Sequence, residues 1–305
     1  PLPEVHLTAP STPHPDDPVE LHFALEGRAA RLKFGLLGRT LIWNALRQAG
    51  RVPPDLSVQQ RFQVQRRFSR RVLGHLGVGL ELRGLENIGN GPYLIAPLHE
   101  GIADVLCLLR LPLPMRFVAR REIFGWPEVG PVITRLGHLP INPEHPLGGF
   151  RDLWRGAESI LGGGESLVVF PQGTVLGLQT DFQRGVFEVA RRVGVPILPV
   201  ALSGTHRIWE HPFAPTLRYG QRVALTVLPP ISTQELQTGN LEAVRVRTRR
   251  ASKAAALAPG APPARFFDPD RDGYWDGFRL VIDPDYPDLA RKMELHRAAF
   301  LQETA

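Results

Sequence analysis

The chain has 305 residues, 43% of them hydrophobic, which leaves room for one large domain with appendages or two small ones, and enough apolar material for a sizeable core. Its formal charge is +6, and because lysine occurs only at Lys33, Lys253 and Lys292, 33 of the 36 basic residues are arginine. The single cysteine, Cys107, excludes an internal disulfide and points to a reducing compartment, and no run approaches the roughly 18 apolar residues of a spanning helix, so any work at a membrane is expected from one side.

Arginine's planar fork suits anionic lipid headgroups, nucleic acid or an acidic carrier, although a genome-wide preference for arginine over lysine gives the same composition. The N-terminus does not read as a signal peptide. Residues 1–18 are proline-rich without an apolar period and are expected to be a mobile arm. From Val19 to Ala49 the spacing of Leu21, Leu25, Leu32, Leu36 and Trp43 predicts a helix, which Gly50 and Pro53-Pro54 stop. A second helix is expected from Asp55 to Leu76. Val58, Phe62, Phe68, Val72 and Leu76 share one face, and Arg61, Arg66, Arg67, Arg70 and Arg71 populate the rest. Such a helix either lies in a headgroup plane with Phe62 and Phe68 inserted, or packs on the domain and shows its arginines to water.

After Gly77 short β-branched or leucine-rich runs alternate with helical stretches, the pattern of an α/β domain. The strands expected are Leu80–Arg83, Tyr93–Ala96, Met115–Val118, His138–Ile141, Leu167–Phe170, Ile197–Leu202 and Val223–Leu228, with helices over 102–110, 147–161 and 181–193 and a last one over 232–257. Cys107, inside the apolar run VLCLL, reads as core rather than as a nucleophile. PGAPPA at 259–264 reads as a linker, and 265–305 as an aspartate-rich, then helical tail. The fold class expected is therefore α/β, a mixed, mostly parallel sheet flanked by helices and preceded by N-terminal amphipathic helices. Its boundaries are an arm at 1–18, a helical segment at 19–76, the α/β domain at 77–258 and linker plus tail at 259–305.

Two segments carry candidate chemistry. In YLIAPLHEGIADVLCLL a strand ends at Pro97 and His99 follows at once, where side chains of an α/β fold look into a ligand crevice. Asp104, five residues on, is close enough to orient the imidazole as a general base, although a satisfied loop histidine has the same local sequence. In SLVVFPQGTVLG a buried strand leads into Pro171, Gln172, Gly173 and Thr174, a turn able to present backbone N–H groups to a headgroup or an oxyanion, or an ordinary strand-to-loop turn.

Together these segments resemble the glycerolipid acyltransferases typified by bacterial 1-acylglycerol-3-phosphate O-acyltransferase. The resemblance runs through GLELRGLENIGNGPYLIAPLHEGIAD, with the H-x4-D motif, then FVARREIFGWPEVGPVITRLGHLPIN, VVFPQGT and FQRGVFEVARRVGVPILPVAL, four ordered blocks across roughly residues 79 to 202. It implies that His99 deprotonates an acceptor hydroxyl, that Asp104 supports it, and that the donor is acyl-CoA or acyl carrier protein, with no further cofactor and no metal. It also implies a docking role for the helices before His99, and so a peripheral place on the cytoplasmic face of a membrane. The absence of G-x-S-x-G disfavours a serine hydrolase.

The departures fall where the family binds its acceptor. Asn142 and Pro143 stand where an Asp-Arg or similar pair would follow Ile141; Gln172 replaces the acid of F-P-E-G-T-R, and Val175 replaces its arginine. Phosphate recognition then falls to nearby Arg120, Arg121 or Arg184, or the acceptor carries no such phosphate and is a glycolipid, an amino lipid or a hydroxylated isoprenoid. Acceptor contacts are expected from Phe170, Pro171, Gln172, Gly173, Thr174 and Asn142. A lipid-binding module without catalysis is the rival from another class; dispersed arginines and no recognition motif disfavour a nucleic-acid partner. In the tail, Asp268, Asp270, Asp272, Gly273 and Asp276 follow the first part of a calcium loop, but Arg279 stands where its last glutamate belongs, so a solvated acidic turn is expected.

Overall fold

Ala24 and Leu25 form a short strand, β1, pairing in parallel with Thr216 and Leu217, so the helix expected over Val19–Ala49 is not continuous. Helix α1 covers Arg39–Ala49. The computed structural model describes residues 24–25, 39–53, 55–127, 129–142, 146–175, 177–210, 214–269 and 281–303. The expected arm at 1–18 and the aspartates 270, 272 and 276 of the calcium-like loop lie outside the described residues.

Helix α2 (Val58–His75) opens on a reciprocal cap: the Ser57 hydroxyl accepts from the Gln60 N–H at 3.3 Å, while Gln60 Oε1 accepts from the Ser57 N–H at 2.9 Å. Its inner face buries Val72 and Leu73, with Leu76 beyond its end, but also Arg61, Gln65 and Ser69. Arg61 therefore does not belong to the exposed basic face on which its spacing placed it. Its Nε donates to the Leu136 carbonyl at 3.0 Å and lies 3.6 Å from the Glu165 carboxylate. Phe68, half-buried, packs against the core under the helix.

Seven strands then build one sheet, and each expected strand forms within two residues of its expected ends. In chain order these are β2 (Gly79–Arg83), β3 (Leu94–Pro97), β4 (Met115–Arg120), β5 (Leu139–Ile141), β6 (Ser166–Val168), β7 (Ile197–Ser203) and, after the small strands β8 (Trp209–Glu210) and β9 (Ala214–Leu217), β10 (Arg222–Val227). The spatial order is β2-β10-β7-β3-β6-β4-β5, parallel throughout except where β10 meets β7. The helices are α3 (Ala103–Leu108), α4 (Gly130–Arg135), α5 (Pro146–Gly162) and α6 (Arg184–Val193). Strand β3 is covered on both faces, which is why LIAP reads as an unbroken apolar run rather than an alternation. Ile95 points into the core shared with α2 and α3; Leu94 and Ala96 point into the opposite core, shared with α5 and α6.

Residues 232–257, expected as one helix, form two, α7 (Thr233–Thr238) and α8 (Leu241–Ala256). The chain breaks at Gly239, and the Asn240 side chain caps the second helix by accepting from the Glu242 and Ala243 N–H groups. The stretch expected to be linker and tail makes specific contacts with the domain. Phe267 is buried, Ile282 bridges to Thr180, and Asp283 is enclosed beside Arg249 and Lys253. Helix α9 (Pro287–Glu303) follows.

Candidate active site

The ladder of β3 ends one residue before His99: the Leu98 N–H still donates to the Val200 carbonyl at 3.0 Å, whereas the His99 N–H turns to Gln172 Oε1 at 2.8 Å. The first turn of α3 brings back Asp104, whose Oδ2 accepts from His99 Nδ1 at 2.6 Å and from the Glu100 and Gly101 N–H groups at 2.8 and 3.1 Å. Three donors on one oxygen hold a fully buried carboxylate that would otherwise be costly to desolvate. Nδ1 is thereby committed, and Nε2 is left for chemistry on a side chain that keeps 17% of its surface exposed. Phe170 lies flat against the imidazole, ring centroids 3.7 Å apart and planes 17° from parallel.

The site lies where an open α/β sheet offers a crevice. The chain leaves β3 towards β4 on one side and reaches β7 on the other, so β3 sits at the reversal of strand order. Phe170–Thr174 follow β6, the immediate neighbour of β3. Within this loop Gly173 has φ +69°, a left-handed conformation that favours glycine, and a Cβ there would displace the end of the Gln183 side chain, whose Nε2 would lie 2.4 Å away. Pro171 is buried and its carbonyl accepts from the Gln183 N–H at 2.7 Å. The Thr174 hydroxyl is buried with no hydrogen-bond partner among the described residues.

Gln172, expected to hold the acceptor, is occupied within the protein. Its oxygen takes the His99 N–H, and its nitrogen donates to the Gly177 carbonyl at 2.6 Å and meets Thr180 Oγ1 at 2.5 Å. An amide suits both tasks because it accepts at one end and donates at the other.

Glu100, which sequence reasoning passed over, is almost fully enclosed at 1% exposure. Its Oε2 accepts from the Gly204 N–H at 2.9 Å and lies 3.3 Å from His206 Nδ1; its Oε1 accepts from the Arg265 N–H at 3.0 Å. The available signal was an acid directly after the histidine in an otherwise apolar segment. Cys107 is fully buried, and burial together with the nearby Asp104 charge pushes its thiol far above the usual range, leaving no thiolate to act.

The remaining candidates lie at the same ends of the parallel strands but further out. Arg120 closes β4, two strands from β3, and Asn142 follows β5, three strands away; at about 4.8 Å per strand these are roughly 10 and 14 Å off. Arg120 is ion-paired with Glu122 at 2.6 Å, and Arg184, 61% exposed, with Glu188 at 2.9 Å. Arg121 is exposed. The structure thus gathers Asp104, Phe170 and Gln172 around His99 and leaves Arg120, Arg121 and Arg184 outside that cluster.

The Acyltransferase family model matches residues 79–203, from the first strand of the large sheet to the last residue of β7. This stretch of the chain is similar to the acyltransferase family. Among curated relatives, a chloroplastic 1-acyl-sn-glycerol-3-phosphate acyltransferase of Brassica napus is 30% identical over 132 residues, 42% of this chain and 38% of that protein. The 1-acyl-sn-glycerol-3-phosphate acyltransferase of Pseudomonas aeruginosa is 30% identical over 127 residues, 41% of this chain and 49% of that protein. The chain therefore spans less than half the length of these relatives. The crystal structure of the 1-acyl-sn-glycerophosphate acyltransferase from Thermotoga maritima superposes with a TM-score of 0.57 over 75% of this chain and 95% of that one, at 19% identity, and so shares the fold. The matched acyltransferase region contains His99, Asp104 and Gln172 but stops short of Arg265, so part of what encloses Glu100 comes from outside it.

Proposed function

We propose that this acyltransferase moves a fatty acyl group from a thioester, acyl-CoA or acyl carrier protein, onto the free hydroxyl of a lysophosphatidate-type glycerolipid. The observation that carries the reading is the 2.6 Å contact between His99 Nδ1 and Asp104 Oδ2 beside a partly open imidazole face. With Asp104 accepting at Nδ1, Nε2 takes the hydroxyl proton as the hydroxyl oxygen attacks the thioester carbonyl. The tetrahedral oxyanion collapses, the C–S bond breaks, and the imidazolium returns its proton to the departing thiolate. The thioester is already activated, so neither an acyl-enzyme nor a cofactor enters the scheme.

A membrane surface is the proposed partner and the cytoplasmic face the proposed location. Among the described residues no helix is long and apolar enough to cross a membrane. Docking is supported by Arg66, Arg70 and Arg110. Burial, and the like charges of Arg66 and Arg70, hold the Arg110 guanidinium below its usual range, the condition of a cluster that an anionic headgroup would relieve.

The test is thiol release from acyl-CoA with lysophosphatidate as acceptor. His99→Ala and Asp104→Asn are expected to lower kcat by about 10²- to 10⁴-fold with the fold intact; wild-type turnover in folded His99→Ala would remove the imidazole from the reaction. A second reading, an acceptor without a phosphate, is supported by the ion pairs that occupy Arg120 and Arg184 and by Val175 in the motif position of an arginine. Offering glycolipid and isoprenoid alcohols beside lysophosphatidate, with products read by mass spectrometry, separates the two.

A further inference from the structure

Two hydrogen-bond routes leave the backbone around His99, and both end on the last part of the chain. The first runs through Glu100, whose carboxylate joins the residue after His99 to the Gly204 and Arg265 N–H groups. The second starts at the His99 N–H and runs through Gln172 to Gly177 and Thr180. That stretch is itself paired with the tail. The Leu178 N–H donates to the Arg265 carbonyl at 3.1 Å, the Gln179 side chain takes the N–H and carbonyl of Phe267 at 2.6 and 3.0 Å, and the Asp181 N–H donates to the Val281 carbonyl at 2.8 Å. At Gly177, φ +99°, a Cβ would fall 2.5 Å from the Arg265 carbonyl oxygen, so the two segments touch backbone to backbone.

We infer that residues 265–267 and 281–283 form a brace that keeps the catalytic histidine in register, with Glu100 and Gln172 as the positioning residues through which it acts. The inference rests on the proposed role of His99, while its contacts lie on the peptide frame that carries the imidazole. The two side chains are matched to their tasks in opposite senses. Both oxygens of Glu100 face backbone N–H groups, so an amide in either orientation would turn an NH₂ onto a donor. Gln172 must donate to the Gly177 carbonyl, so a carboxylate would set oxygen against oxygen.

The test uses the full chain and three variants, each assayed below its own unfolding midpoint: Glu100→Gln, Gln172→Glu, and Gln179→Ala, which loosens the brace two contacts away from His99. Steady-state thiol release gives kcat and KM, and proton NMR follows the His99 ring, assigned by its loss in His99→Ala. Because misplacing a reacting group by about 1 Å costs around 100-fold, kcat is expected to fall about 10- to 100-fold in the first two variants and about threefold or more in Gln179→Ala, with KM within about threefold. The His99 ring signal is expected to move in all three. An unmoved ring signal, or wild-type kcat, in Gln179→Ala overturns the brace, and should Glu100→Gln not fold, the other two variants decide in the same way. If His99→Ala retains wild-type turnover the proposed function fails instead, and the ring signal still decides the brace.

Discussion

The Phe170 ring lies flat on the His99 imidazole at 3.7 Å, so the proposed catalytic base is fixed from two directions, by Asp104 in its plane and by Phe170 across its face. An aromatic so placed limits rotation of the imidazole and excludes water from one side of it. Phe170→Ala is expected to lower kcat about tenfold while KM changes little, and Phe170→Leu, which keeps the apolar cover without the stacked face, to fall between. Steady-state kinetics on both substrates checks this. A raised KM for the acceptor at unchanged kcat would instead return Phe170 to the acceptor-binding role its loop position suggested.

The centre of the sheet was legible in the sequence because its middle strands are buried on both faces: LIAP and ILPVAL are apolar throughout and bounded by turns, leaving little ambiguity of type. The His99–Asp104 pair was legible for a local reason, since five residues across a strand end and one helical turn bring the two together without the rest of the fold. What failed was long-range. Nothing local says that Arg61 turns inward to Leu136, 75 positions away, or that Gln172 spends its amide on His99, 73 positions away. A helical arginine reads as solvated because most are, and the exception is set by carbonyls and a carboxylate on other elements. Residues 265–267 read as a tail beyond the PGAPPA linker, yet the Arg265 and Phe267 N–H groups bond to Glu100 and Gln179, backbone contacts that composition does not encode.

His138 couples stability to pH. Burial and the charges of Arg116 and Arg61 lower its pKa to about 3, and its Nδ1, 3.1 Å from the Phe117 N–H, accepts as the neutral ring. The unfolded chain takes up this proton near pH 6.5, so between about 6.5 and 3 it binds more protons than the folded chain. The contribution is complete above pH 6.5 and is lost as pH falls through that window. At 1.4 kcal/mol per pH unit, going from pH 6.5 to 5 removes up to about 2 kcal/mol, and less because part of the residue reaches solvent. His138→Asn keeps an acceptor near the Phe117 N–H without titrating, and urea denaturation at pH 7 and 5 is expected to show that much less acid sensitivity in the variant. Equal losses in both proteins would place the acid sensitivity elsewhere.

Arg249 fixes the tail to the domain from inside. Only 2% exposed, it reaches Asp181 at 2.6 Å and Asp283 at 3.0 Å, so one guanidinium spans the loop after β6 and the segment before α9. Burial alone would raise the Asp181 pKa; the hydrogen bonds from Arg245 and Arg249 reverse that and hold it below the usual carboxylate range. Removing one partner of a buried ionic group typically costs about 3–5 kcal/mol, because the remaining charges stay enclosed. In Arg249→Met, Asp181 keeps Arg245 and Asp283 keeps Lys253, so the lower end, about 3 kcal/mol, is expected. Chemical denaturation measures the loss. Hydrogen exchange locates it, since opening confined to 177–183 and 281–286 follows if Arg249 joins those two segments, whereas uniform loosening of the sheet would mean that it supports the domain as a whole.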